Sequence, residues 1–149
     1  MTRHIVGLIL AFACGAVVGH IGFPAAEAQE RKVVTITRFY TGADHQTHAE
    51  DQDLDFPGKV LKLLPVTGAE LHRGAAGSVL DWHTGPARQY IITLSGHGEI
   101  EVAGGKKVPV YPGHIELIED VTGKGHITRV TSTEDRVALW LPIADQTSH

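Results

Sequence analysis

Apolar and polar positions follow one another along most of this chain at the spacing of β-strands. The runs "KVVTITRFY" at 32–40, "KVLKLLPV" at 59–66 and "RQYIITLS" at 88–95 are β-branched or apolar and of strand length. "EIEV" at 99–102 alternates strictly, and Gly104-Gly105 behind it predicts a tight hairpin turn. "GHIELIE" at 113–119, "HITRVTS" at 126–132 and "DRVALWLPI" at 135–143 continue the series. No segment keeps a helical spacing long enough to compete. About nine short strands punctuated by Gly and Pro predict an all-β domain, an antiparallel sandwich or barrel. The longest polar stretch, 41–58, carries Asp44, Glu50, Asp51, Asp53 and Asp55 and predicts an exposed, irregular arm or lid.

The first thirty residues break this pattern. Arg3 is followed by an apolar run from Ile5 to Val18, then by helix-breaking Gly22 and Pro24 and by Ala26-Glu27-Ala28. That order predicts a secretory signal peptide over 1–28, cut between Ala28 and Gln29, and a periplasmic or secreted product free of the membrane after cleavage. An uncleaved anchor over residues 5–26 is the alternative, since the apolar stretch nearly reaches the length of a bilayer span. Cys14 as a lipid-attachment residue fits less well, because Ala11 and Phe12 precede it. The remainder divides into an N-terminal strand and polar arm, 29–58, and a barrel, 59–149, which the 32–40 strand joins.

Charge removes one function class. The net charge is −4, whereas a nucleic-acid partner requires a concentrated basic face. The one cysteine, Cys14, lies in the signal segment, so the exported domain must be held by its core rather than by disulfides. The chain contains no nucleophile-base pair, phosphate loop or dinucleotide fingerprint.

The candidate chemistry sits in "GSVLDWHTGPARQYIITLSG" at 77–96 and "YPGHIELIEDVTGKGHITRV" at 111–130. Strand alternation puts Val79, Asp81 and His83 on one face, Gln89, Ile91 and Thr93 on another, and His126, Thr128 and Val130 on a third. If those faces line an interior, His83, Gln89 and His126 converge near one open end, and Trp82, Arg88 and Tyr90 point away.

These segments resemble the two conserved motifs of the cupin superfamily. The first combines a glycine, a His-x-His pair, a glutamate and a closing glycine. Gly77, His83, Gln89 and Gly96 fall on that spacing, with Gly85 at the second histidine and Gln89 at the glutamate. The second is a Pro-Gly turn followed by a histidine on a later strand, matched by Pro112-Gly113 and His126. Val130 stands where an asparagine is often found, and His114 where an aspartate is common. The resemblance covers residues 60–142 and implies a single antiparallel jelly-roll barrel. It also implies a divalent ion (manganese, iron, nickel or zinc) held by His83, Gln89 and His126, with Asp81 as orienting partner or extra ligand.

A small-molecule ligand, possibly anionic, is the expected partner. Pairing as a homodimer is also implied, with Trp140 and its strand covering a neighbour's sheet edge or else filling the chain's own core. His45, His48, His72, His97 and His114 are further candidates to reach the site. Whether the barrel is an enzyme is left open. A metal-free small-molecule binder and a structural barrel without catalysis are the alternatives.

Overall fold

A computed structural model describes residues 33–144; the expected signal segment and its expected cleavage point lie outside them. The described residues form ten strands: β1 (Val34–Thr41), β2 (Thr47–Leu54), β3 (Glu70–Gly74), β4 (Val79–His83), β5 (Gln89–Ser95), β6 (Gly98–Glu101), β7 (Lys107–Val110), β8 (Ile115–Glu119), β9 (His126–Val130) and β10 (Arg136–Pro142). One sheet has the order β2-β1-β8-β5-β10-β3 and the other β4-β9-β6-β7. All pairings are antiparallel except β1 with β8, which run parallel, so the six-stranded sheet is mixed rather than antiparallel throughout.

Alternation within the strands divides the apolar residues between two cores. Phe39, Ile91, Ile118 and Ala138 from the larger sheet and Ile100, Val102, Val108 and Val110 from the smaller one form a single buried cluster, so the two sheets face each other across it. Residues of opposite parity on the larger sheet, Ile36 and Tyr90, form a second cluster with Ile143, against which Leu64 and Leu117 pack. Tyr90 points away from the inner face, as its parity requires, yet it is buried. The main-chain N–H of Leu64 donates to its hydroxyl at 3.3 Å.

Three segments depart from the sequence pattern. The polar arm is a strand: β2 pairs with β1 over its full length, from Thr47 opposite Thr41 to Leu54 opposite Val34. Its acidic residues make cross-strand partners rather than a lid. Thr35 donates to Asp53, Thr37 to Asp51 and Arg38 to Glu50, the kind of pairing that stabilises a strand with one wet face. The run at 59–66 forms no strand except for the Val66–Ile143 bridge. Pro65 lacks an N–H for a ladder, and Leu64 instead packs against the second cluster. The strand at that edge is the polar Glu70–Gly74, which a search for apolar runs passes over.

The Gly104-Gly105 turn joins β6 to β7 as the sequence predicts. Both glycines have positive φ, 73° and 78°, a region open to glycine at little cost. Trp140 faces inward and packs against the inner cluster. Its strand β10 is paired on both sides, by β5 and β3, and so offers no free edge to a neighbour.

Candidate functional site

His83 ends β4 and His126 begins β9, and the two are direct cross-strand partners. Their rings meet edge to face, with centroids 4.4 Å apart. Gln89, which opens β5 in the facing sheet, lines the same cavity of about 310 Å³ as both histidines. The structure thus brings together three side chains that are far apart in sequence.

Asp81 departs from its expected place. The β4–β9 register shifts between Leu80 and His83, an irregularity of the β-bulge kind, and such a bulge reverses the facing of the residues beyond it. Leu80 and His83 therefore line the cavity together, while Asp81 is exposed. The Asp81 carboxylate accepts a bond from the Trp82 N–H at 2.8 Å. Its main-chain carbonyl oxygen lies 2.8 Å from His83 Nδ1.

Those contacts fix the histidines' tautomers. A carbonyl oxygen can only accept, so His83 carries its proton on Nδ1 and presents the Nε2 lone pair. Burial pushes the His83 imidazole below its ordinary pKa; the Asp81 carbonyl pulls it back up in part, and His126 (down) and the Asp120 carboxylate (up) act more weakly. The ring is neutral at pH 7. His126, 4% exposed, meets Oδ2 of Asp120 through its own Nδ1 at 2.5 Å. Asp120 is fully buried, and the same Oδ2 accepts from Thr47 Oγ1 at 2.9 Å. Asp120 and Thr47 were not apparent as site residues in the sequence. Asp120 does stand at the inward parity of β8, two places beyond Ile118.

Gln89 is 2% exposed, and its amide makes no side-chain hydrogen bond to the described residues, so it is free to meet a ligand or an ion. Gly85 is small for a steric reason. A Cβ there would lie 2.5 Å from Cγ2 of Ile118 and 3.6 Å from Oδ1 of Asp120. Its N–H donates to the Asp120 carbonyl at 3.1 Å, which draws the turn against β8 and leaves no room for a second histidine.

The donor set fits an ion in kind. Two imidazoles have their Nδ1 positions engaged and their Nε2 positions unengaged by described residues, the arrangement that metal-ligating histidines adopt, and a buried amide oxygen stands with them. Among the described residues, no three His, Cys, Asp or Glu side chains cluster so as to hold a metal. Any ion here would therefore depend on the amide or on the ligand for its third donor.

A second polar group in the cavity also went unread in the sequence. Arg136 and Glu116 line the wall and are 8% and 0% exposed. Arg136 donates to Glu116 Oε1 at 2.6 Å and twice to Thr93 Oγ1, at 3.0 and 2.7 Å. The signal was again parity: Arg136 alternates with Ala138 and Trp140, and Glu116 with Ile118, each a polar residue on an apolar face.

The other histidines do not line this cavity. His48 pairs with Asp44, and His45 and His97 occupy exposed turns. His114 bonds Thr37 Oγ1 at 2.9 Å. His72 stacks on Trp140, with ring centroids 3.8 Å apart and planes 5° from parallel.

No family model matches the chain, and no curated protein does. Solved structures similar to it include a cupin 2 conserved barrel domain protein from Leptotrichia buccalis, at 19% identity and TM-score 0.41, over 79% of this chain and 44% of that one. A cupin protein from Bacteroides fragilis is similar at 20% identity and TM-score 0.41, over 56% of this chain and 72% of that one. The Cnp3 cupin domain of Schizosaccharomyces pombe is similar at 9% identity and TM-score 0.42, over 76% and 86%. The chain spans less than half the length of the Leptotrichia protein. No helix among the described residues is long and apolar enough to cross a membrane.

Proposed function

We propose that this chain is an exported jelly-roll barrel of the cupin type that binds a small organic molecule in the cavity between its sheets. In this reading His83, Gln89 and His126 hold a divalent ion at the cavity, and the ligand completes its coordination. One observation carries it. The cross-strand histidines both have Nδ1 tied to an acceptor, Asp81 O and Asp120 Oδ2, which leaves their Nε2 atoms to serve as metal donors. A bound divalent ion would supply Lewis acidity, polarising an oxygen of the ligand, and neutral donors would leave it most of its charge.

The test is titration of purified protein with manganese, iron, nickel and zinc, followed by elemental analysis after dialysis. Stoichiometric uptake that His83→Ala and His126→Ala each abolish supports the reading. Absence of uptake from wild type would refute it. A second reading, a metal-free binder using the same cavity, is favoured by the lack of a third charged or imidazole donor among the described residues. Ligand-induced thermal stabilisation that chelator leaves unchanged would select it.

A further inference from the structure

We propose that Arg136 is the ligand's anchor: it receives the carboxylate of a small monocarboxylate in a second lobe of the cavity. The lobe that contains the histidine pair and a neighbouring one of about 250 Å³ share Leu80, Thr128, Arg136 and Trp140 as lining residues. Arg136 is thus the charged side chain common to both, and it is more than nine-tenths buried.

Its hydrogen bonds are only partly used. Nε and Nη2 donate to Thr93 and Nη2 to Glu116, while Nη1 meets no acceptor among the described residues. A buried guanidinium with unspent N–H groups is costly unless a ligand or water accepts them. Thr93, fully buried, and Glu116 hold the planar head in place, so its free nitrogen is pre-oriented at little entropic cost.

The Glu116 carboxylate does not compete for a ligand at this wall. Oε1 of Glu116 is spent on Arg136, and Oε2 is sealed from solvent with no partner. Arg73, which also lines the second lobe, is engaged by Asp135 at 2.6 Å. The unspent Nη1 of Arg136 therefore calls for an oxygen acceptor. This rests on the small-molecule reading above: a guanidinium donates a stronger, charge-assisted hydrogen bond to a carboxylate than to a neutral carbonyl. The apolar surfaces of Ile91, Ile100 and Trp140 suit a short aliphatic or aromatic body between the carboxylate and the ion.

The experiment compares propionate, butyrate and benzoate with their primary amides by thermal shift and calorimetry, in wild type and in the paired variant Arg136→Gln/Glu116→Gln. Changing both residues avoids stranding a buried charge, and nickel uptake is measured alongside. Wild type should bind at least one acid about tenfold or more tightly than its amide, the scale of one charge-assisted hydrogen bond. The paired variant should lose that preference while taking up nickel as wild type does. Equal affinity for acid and amide, no binding of either, or a preference kept in the paired variant would each overturn the assignment. A preference lost in the variant when neither protein takes up nickel would leave the Arg136 anchor standing and refute the metal reading alone.

Discussion

Replacing Asp120 by asparagine separates what orients the site from what merely fills the interior. The carboxylate is fully buried and accepts from Thr47 at 2.9 Å and from His126 Nδ1 at 2.5 Å through one oxygen. Asparagine keeps the shape but loses the charge. Weakening the charge-assisted bond to a buried partner should cost about 1–3 kcal/mol of folding stability. The same change leaves the His126 ring less firmly aimed, and loss of such an orienting partner lowers the affinity of a histidine-bound ion about 10- to 100-fold. Urea denaturation gives the first quantity and calorimetric titration with zinc or nickel the second. Thr47→Val is the control. It removes the other partner of the same oxygen, costs about 1 kcal/mol and should leave ion affinity within a few-fold of wild type. The reasoning fails if Asp120→Asn and Thr47→Val lose stability alike and neither changes ion affinity, because Asp120 would then be a packing residue.

Other consequences follow from the same geometry. Gly85→Ala should destabilise by about 1–3 kcal/mol in chemical denaturation, since its methyl would meet Ile118 at 2.5 Å; Gly85→His should likewise fail to add a donor. Phe39→Ala, at a fully buried position between the sheets, should cost about 3–5 kcal/mol by the same assay. His83 has a lowered pKa in the fold, so the unfolded chain takes up that proton first. Its contribution to stability is present above the unfolded value of 6.5 and is lost as pH falls from there towards the lowered folded value. The pH dependence of unfolding should flatten in that window in His83→Asn.

Much of the scaffold could be read from the sequence because buried strands advertise themselves. The runs at 32–40, 88–95, 113–119, 126–132 and 135–143 all contain observed strands, and all but 126–132 supply residues to the two clusters. Edge strands do not advertise themselves this way. β2 and β3 are each wet on one face and free along one edge, so their polar sequences "THAEDQDL" and "ELHRG" read as loop. The apolar run at 59–66 is the reverse case: its Leu64 packs against the second cluster without joining a ladder.

The site divides along similar lines. Motif spacing marked His83, Gln89 and His126, and all three line one cavity. Local pattern could not anticipate the bulge that turns Asp81 outward, because a bulge is a property of two strands' register. Nor could it pair Arg136 with Glu116, or Asp120 with Thr47 across 73 positions, although the inward parity of Glu116, Asp120 and Arg136 marked each as unusual.

Calorimetric titration of the purified domain with nickel and zinc at pH 7.5, beside His83→Ala and His126→Ala, tests the central claim most directly. The account predicts one ion per chain in wild type and none in either variant, with both variants still folded. Wild type that binds no ion, or variants that bind it unchanged, would contradict it.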